Sequence, residues 1–358
     1  MTLSSKSATF VITGGGTGGH VMPALAVACE LRARGHSVLF IGTRRGLEAK
    51  LVPAEGFPIE WIEIGGLMRV GLRTTLITLA ELPFSVWAAS RILDRARPAA
   101  VFSTGGFVAG PVLLAALWKR VPVVLMEPNA IPGFTHRKLA RFVARALVSF
   151  PETAKWFPAA VTEVTGMPVR EEFFAIAPKP RGDKLTILIT GGSQGSRTLN
   201  RAAQESWLLW DKTAVRLIHQ TGPSAYRQLE TSFRASGIEG EISSFLADMP
   251  AAFASADVVV SRAGMSTVSE LAAAGKPSIL VPLPTAADQH QLRNAEAMEH
   301  IGACRMVLDA EFSGQRLVKE VSSLAQSSDL IHVMGEAARS FAKPGAARRA
   351  AEVLESFI

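Results

Sequence analysis

Cysteine is nearly absent from this 358-residue chain. The two present, Cys29 and Cys304, lie too far apart in sequence for a metal knuckle, which excludes a disulfide framework or a zinc ribbon. Charge is also sparse: charged residues make up 19% of the chain against 48% hydrophobic. That balance argues against an extended disordered protein and supplies enough apolar side chains to fill two cores. At roughly 100–200 residues per domain, the length points to two domains. The opening residues, MTLSSKSATFVIT, lack the long apolar core of a signal peptide and read as a polar lead into a strand. The longest uncharged stretch, 98–118, is broken by Gly105, Gly106, Gly110 and Pro111 and carries Ser103 and Thr104. It reads as a buried strand, a glycine turn and a buried helix, not as a membrane span. With nothing directing export, a soluble cytoplasmic protein is expected. No G-x-x-x-x-G-K-[ST] occurs, which disfavours a P-loop nucleotidase. No Asp-x-Asp occurs either, so a metal-bridged diphosphate has no support in the sequence, and metal-independent chemistry without a cofactor is expected.

What is present is a rhythm of short β-branched runs and helical patterns. Strands are expected at 8–13, 37–42, 99–103, 121–126 and 146–150, with a helix over 21–35 ending at Gly35. The rhythm restarts with strands at 184–190, 214–219, 256–261 and 277–282, and a helix from about Ser196. Such alternation implies βαβ units and parallel sheets. Pro168, Pro178 and Pro180 mark a break between the two series. The expected organisation is an α/β chain of two Rossmann-like domains facing a cleft: 1–165, a linker at 166–183, and 184–358. The last helix is in a position to pack back on the N-terminal domain.

Each half opens with a strand, a glycine-rich loop and a helix; the loops are GGGTGGH (14–20) and GGSQGS (191–196). Backbone N–H groups at a helix start, together with the helix dipole, attract phosphate. The formal net charge of +7 fits an anionic partner. Gly14, Gly16 and Gly19 match G-x-G-x-x-G, but the second strand ends in Gly42-Thr43-Arg44-Arg45 with no acid, which disfavours NAD and leaves NADP open through the arginines. His20, directly after the first loop, is either a structural or solvated histidine or a general base, since its reference pKa lies near neutrality. The densest polar cluster is 261–295. Thr267-x-x-Glu270 fits a capping box at a helix opening near Ser266 or Thr267; equally, Glu270 could accept both hydroxyls of a ribose. Asp288, Gln289, His290, Gln291 and Asn294 follow, one turn of donors and acceptors or a hydrophilic helix face.

GGGTGGH, GGSQG, SRAGMSTVSE followed by DQHQxxNA, EPNAIPG (127–133) and STGGFVAGP (103–111) resemble, in order and spacing, the MurG family of UDP-N-acetylglucosamine-dependent transferases. The resemblance implies the two-domain GT-B glycosyltransferase fold. It implies inverting transfer of N-acetylglucosamine from UDP-N-acetylglucosamine to the C4 hydroxyl of the muramoyl sugar of lipid I, giving lipid II for peptidoglycan synthesis. It places the donor mainly on the C-terminal domain: Ser193 at the diphosphate, the Leu246 backbone at the uracil, and Met265, Ser266, Thr267, Val268, Ser269 and Glu270 along phosphate and ribose. Gln291, with Gln289 nearby, falls at the sugar. Thr17, Gly18, Gly19 and Asn129 complete the site from the first domain, and Arg170 matches a donor-site arginine. The chain departs from the family pattern at Met126, Pro128 and Met167, where a polar residue, Gln and Asn are usual.

His20 is then the candidate base, with Glu127 as fallback, and helix-start amides with Arg170 would receive the charge of departing UDP. Because the acceptor is a lipid, a peripheral enzyme on the cytoplasmic face of the bacterial inner membrane is expected. Residues 70–97 offer Leu76, Leu79, Phe84 and Trp87 among Arg69, Arg73, Arg91, Arg95 and Arg97, and Trp118-Lys119-Arg120 repeats the pairing. These either dock on anionic lipid or are domain core. The competing readings are a related transferase acting on a diacylglycerol or lipid A precursor, a sugar-nucleotide epimerase, and a nucleic-acid binder. The last lacks zinc fingers, an RNA-binding motif or a charged tail, so nucleic acid is not expected as a partner.

Overall fold

The computed structural model describes residues 7–64, 72–180, 182–286 and 289–358, leaving aside the side chains of 72–80 and of Ser328. The chain divides into two units, one running to Arg170 and resuming at Lys343–Ile358, the other Glu171–Ala342.

The first unit holds β1 (Thr9–Gly14), α1 (Gly18–Ala33), β2 (Ser37–Gly42), α2 (Glu48–Ala54), β3 (Ile59–Trp61), α3 (Leu72–Ala96), β4 (Ala100–Gly105), α4 (Ala109–Trp118), β5 (Val123–Glu127), α5 (Phe134–Leu139), β6 (Arg145–Val148) and β7 (Thr162–Val164). Its sheet is parallel, in the order β3-β2-β1-β4-β5-β6-β7. β4 and β5 are buried along their whole length, as expected of a parallel sheet covered by helices on both faces. Direction of winding reverses between β1 and β4, and the crevice outside the carboxyl ends of such a strand pair is where doubly wound sheets bind ligands.

The second unit repeats the plan with α6 (Glu171–Phe174), β8 (Leu185–Thr190), α7 (Arg197–Ser206), β9 (Val215–Gln220), α8 (Tyr226–Ser236), β10 (Gly240–Ser243), α9 (Met249–Ser255), β11 (Val258–Ser261), α10 (Met265–Ala274), β12 (Ser278–Leu280), α11 (His290–His300), β13 (Cys304–Met306), α12 (Gly314–Ala325) and α13 (Ser328–Phe341). Its sheet is again parallel, β10-β9-β8-β11-β12-β13, with the reversal between β8 and β11.

Two boundaries differ from the sequence reading. The stretch read as a linker is shared out, Gly166–Arg170 going with the first unit and α6 with the second. The chain beyond Ala342 belongs to the first unit, through α14 (Ala346–Glu355). Glu355 binds Arg34 at 2.8 Å and the His36 ring at 2.9 Å, and Arg349 grips Glu163 with two bonds of 2.7 and 3.0 Å. The first helix also starts earlier than expected, at Gly18 with Thr17 as its N-cap.

Candidate active site

In the first unit the glycine loop after β1 lies against the loop after β4. Thr104 Oγ donates to the His20 carbonyl at 2.7 Å. Gly106, at φ +88°, sits so close to Gly15 that a Cβ would run into the Gly15 carbonyl. His20 occupies the first turn of α1, with its Nδ1 2.8 Å from the Thr104 carbonyl oxygen. A carbonyl only accepts, so Nδ1 carries the hydrogen; in the neutral ring the lone pair then belongs to Nε2. Thr17 is exposed and Gly18 and Gly19 are half-buried at the start of α1, whose first turn holds no acidic side chain. These helix-start amides are suited to an anion.

The other end of the same loop is already filled. Glu48, fully buried at the start of α2, accepts from Gly16 N–H at 2.8 Å, from Thr43 N–H at 3.1 Å and from Thr43 Oγ at 2.9 Å. Sequence reasoning found no acid after β2 and passed over Glu48. Its carboxylate takes up the Gly16 N–H, one of the loop amides that a dinucleotide phosphate would need, which argues against the open NADP reading.

Glu127, the fallback base, has a different task. Its buried carboxylate accepts from Asn129 N–H (3.0 Å), Asn129 Nδ2 (3.2 Å), Gly133 N–H (3.1 Å) and His136 Nδ1 (2.8 Å), and so pins the loop 127–133. Burial alone would raise its pKa. The hydrogen bond from His136, with those from the two backbone N–H groups, outweighs that and holds it below the usual carboxylate range. A buried, ionised group with its lone pairs engaged is a poor proton acceptor for a substrate. Asn129 gives one amide hydrogen to Glu127, which leaves its second Nδ2 hydrogen and its Oδ1 to face a ligand. The departures Met126, Pro128 and Met167 are all buried, where apolar side chains serve packing. His136 was not singled out from the sequence, and nothing in its local spacing marks it.

In the second unit the GGSQGS loop joins β8 to α7. Gly192 N–H is held by Thr190 Oγ at 3.2 Å, and Gly195 N–H by the Gly192 carbonyl at 2.9 Å. Gly195 has φ +75° and lies where a Cβ would collide with the Thr221 carbonyl. This tight turn carries Ser193, half-buried, near its tip. Behind it Asn200 donates to the Thr221 carbonyl at 2.9 Å and accepts from His219 Nε2 at 3.0 Å. Burial pushes the His219 imidazole down to about 4.

After β11, α10 begins at Met265 with Gly264 as its N-cap. That removes the capping-box reading, because Thr267 is the third residue of the helix and Glu270 the sixth, beyond reach of the cap. The first bond of the helix runs from Val268 N–H to the Gly264 carbonyl, so the amides of Met265, Ser266 and Thr267 lack intrahelical acceptors. Ser266, Thr267 and Glu270 are half-buried, whereas the Met265, Val268 and Ser269 side chains belong to the core. Val268, expected at the ligand, therefore has neither its side chain nor its amide available for one. The turn before α10 is braced by Asn294, whose amide donates to the Ala263 carbonyl at 3.0 Å, and by Arg262, which donates to the Val281 carbonyl at 3.0 Å.

Gln291, in the first turn of α11, accepts from Leu283 N–H at 3.0 Å, so its amide nitrogen is the end suited to a sugar hydroxyl. Leu246 lies half-buried in the loop after β10, between a Ser243–Phe245 turn and the Asp248 N-cap of α9. Arg170 is half-buried at the end of the first unit. Asp288 and Arg69 lie outside the described residues, as do the side chains of Arg73, Leu76 and Leu79. Among the described residues no helix is long and apolar enough to cross a membrane.

Residues 10–148 match the glycosyltransferase family 28 N-terminal domain and residues 186–349 the family 28 C-terminal domain. A protein of Solibacter usitatus (strain Ellin6076) named UDP-N-acetylglucosamine--N-acetylmuramyl-(pentapeptide) pyrophosphoryl-undecaprenol N-acetylglucosamine transferase is 59% identical over 356 residues, 99% of this chain and 97% of its own. A protein of the same name from Nitrosococcus oceani is 42% identical over 348 residues, 96% of each chain. Among solved structures, Acinetobacter baumannii MurG superposes with a TM-score of 0.76 at 29% identity, covering 98% of this chain and 99% of that one. The fold is thus the two-domain GT-B type, and the chain belongs to glycosyltransferase family 28.

Proposed function

We infer that this protein is an inverting hexosyltransferase that moves N-acetylglucosamine from UDP-N-acetylglucosamine to the C4 hydroxyl of the muramoyl sugar of lipid I. The product is lipid II, for peptidoglycan synthesis. The relative that is 59% identical over 99% of the chain carries the name of that transferase, and one geometric observation supports the chemistry. The Thr104 carbonyl fixes the His20 tautomer so that Nε2 is the basic nitrogen, at the carboxyl edge of the β1–β4 reversal.

In this reading His20 Nε2 takes the proton of the C4 hydroxyl as that oxygen attacks the anomeric carbon from the face opposite UDP. The anomeric carbon–oxygen bond breaks, and the electron pair leaves on the diphosphate. Ser193 and the amides of Met265, Ser266 and Thr267 receive that charge, with Arg170 assisting. Glu270 takes the ribose hydroxyls, the Leu246 backbone the uracil, and Gln291 the sugar. Thr17, Gly18, Gly19 and the Asn129 side chain serve from the first unit.

The same reading places the enzyme at the cytoplasmic face of the plasma membrane. Phe84, Trp87 and Trp118 stand exposed, with Arg91 against the Trp87 ring at 5.6 Å and Lys119 against Trp118 at 5.7 Å. Paired aromatic and basic groups of this kind suit an anionic interface.

The deciding assay mixes labelled UDP-N-acetylglucosamine with a lipid I analogue. The protein should form disaccharide product, and His20→Ala should lower turnover by about 10²–10⁴-fold. Conversion of the sugar nucleotide without acceptor would instead identify an epimerase, and near-normal turnover by the variant would remove His20 from its role. Activity should survive a chelator; loss that only a divalent ion restores would overturn the metal-independent scheme.

A further inference from the structure

Behind His20 lies a run of buried polar groups that the reaction as described does not use. The peptide group between Thr104 and Gly105 is bonded at both ends. Its oxygen accepts from His20 Nδ1 at 2.8 Å, and its N–H donates to Ser103 Oγ at 3.2 Å. Ser103 Oγ is 3.4 Å from His136 Nε2, and His136 Nδ1 is 2.8 Å from Glu127 Oε2. Ser103, Thr104, His136 and Glu127 are all buried.

Every donor in the series points the same way. An ionised Glu127 only accepts, so His136 Nδ1 bears hydrogen and the neutral ring offers Nε2 as acceptor. Ser103 Oγ already accepts from Gly105 N–H, so its own hydrogen is directed to His136 Nε2. The Thr104 carbonyl, polarised by the bond made at its N–H, faces His20 Nδ1–H. A Ser-His-Glu series invites comparison with a hydrolase triad, but with all three side chains sealed from solvent Ser103 cannot meet a substrate. Its orientation toward His20 gives it a different use. A second observation ties the two imidazoles together. Gly105 has φ +98°, and a Cβ there would lie 3.3 Å from His20 Cε1 and Nδ1 and 3.4 Å from His136 Cε1.

We propose that Glu127, His136 and Ser103 form a positioning relay that, through the Thr104–Gly105 peptide group, locks the Nδ1–H tautomer of His20 and strengthens Nε2 as a base. The proposal rests on His20 being the base. No proton travels along the relay. The acceptor proton stays on Nε2, and the aligned dipoles, in a water-poor interior, stabilise the imidazolium that forms. The stabilisation has work to oppose, since His20 sits at the positive end of α1, which disfavours a charged ring. Among the described residues, the ionisable groups bonded into the relay and the glycine loop are His136 from α5, Glu127 from β5, and Glu48 from α2. The two carboxylates favour the imidazolium; a protonated His136 would oppose it.

Two variants cut the relay at different points, Ser103→Ala and His136→Asn, and thermal unfolding of each reports fold integrity. Imidazole NMR titration of His20 reads the relay without reference to activity. The His20 pKa should fall by about half a unit, a factor of about three, in both variants. The acid limb of kcat should move to lower pH by the same amount and the plateau should drop about three- to tenfold, with KM for UDP-N-acetylglucosamine unchanged. An unaltered His20 titration in folded Ser103→Ala and His136→Asn would overturn the relay. Activity that falls only in step with thermal stability would do the same. His20→Asn separates the two ideas: if it retained turnover while the His20 titration still shifted between wild type and Ser103→Ala, the base assignment would fail and the relay would stand as a tautomer lock alone.

Discussion

His219 offers a quantitative check on how the second unit is held together. Its ring is fully buried on β9, donates from Nε2 to Asn200, and has a folded-state pKa pushed by desolvation from 6.5 to about 4. In the unfolded chain the ring takes up a proton as pH drops below 6.5; in the folded chain it resists until about 4. The unfolded state therefore binds more protons across that window. Stability is fully present above pH 6.5 and is lost as pH falls toward 4. At about 1.4 kcal/mol per unit, the 2.5-unit difference corresponds to about 3 kcal/mol, of which about 2 kcal/mol is lost between pH 6.5 and 5. The upper part of the window isolates the histidine. Glu127 and Glu163 are also held below the usual carboxylate range, but a depressed carboxylate loses its contribution only below about pH 5. The assay is hydrogen exchange of the β8 and β9 amides, which reports the second unit by itself. Measured at pH 7, 6 and 5, wild-type protection should fall by about 2 kcal/mol over this range, and His219→Gln should flatten the slope. Equal slopes in the two proteins would refute the assignment of a buried neutral imidazole.

The remaining expectations use the same geometry. Gly195→Ala forces a Cβ against the Thr221 carbonyl at φ +75° and should lower stability by at least about 2 kcal/mol. Gly18→Ala, where nothing lies within 4 Å, should change it by less than about 1 kcal/mol; urea midpoints compare them. Glu270→Gln should raise KM for UDP-N-acetylglucosamine about tenfold with an unchanged melting temperature. Val268→Ala, only two residues away, should leave KM alone and cost about 2 kcal/mol of stability, because its side chain is core. Sedimentation with anionic vesicles should show salt-sensitive binding that Trp87→Ala with Arg91→Glu weakens; binding indifferent to salt or to the double change would remove this face from the membrane reading.

The interior strands were readable because each is an apolar, largely β-branched run buried on both faces: β8 and β11 fell within expected segments, and β1, β4 and β5 ran one or two residues past theirs. The four strands that escaped are the four sheet edges, β3, β7, β10 and β13. Each has only three or four residues and is at most partly buried, so it carries no apolar run to read. Their existence is settled by the neighbouring strand, which offers backbone donors and acceptors along its free side.

The site divides along the same line. Local sequence was enough to mark both glycine loops, His20 at a helix start, and the polar segment around Glu270, because a tight turn and an exposed helix start demand particular residue types within a few positions. It could not assign jobs to those residues. Glu48 reaches Gly16 from 32 positions away, His136 reaches Ser103 across 33, and Thr104 sets the His20 tautomer across 84. The last helix was expected to be able to return to the first domain, but the contacts that hold it there, such as Arg349 to Glu163 across 186 positions, leave no local trace. The alternation of strand and helix, the two-domain plan and the phosphate-type loops were thus determined by the sequence alone. Which carboxylate fills a loop, which nitrogen of His20 is basic and which buried groups stand behind it were decided only when the parallel sheets brought distant segments together, because a hydrogen bond depends on separation in space and leaves no periodic trace along the chain.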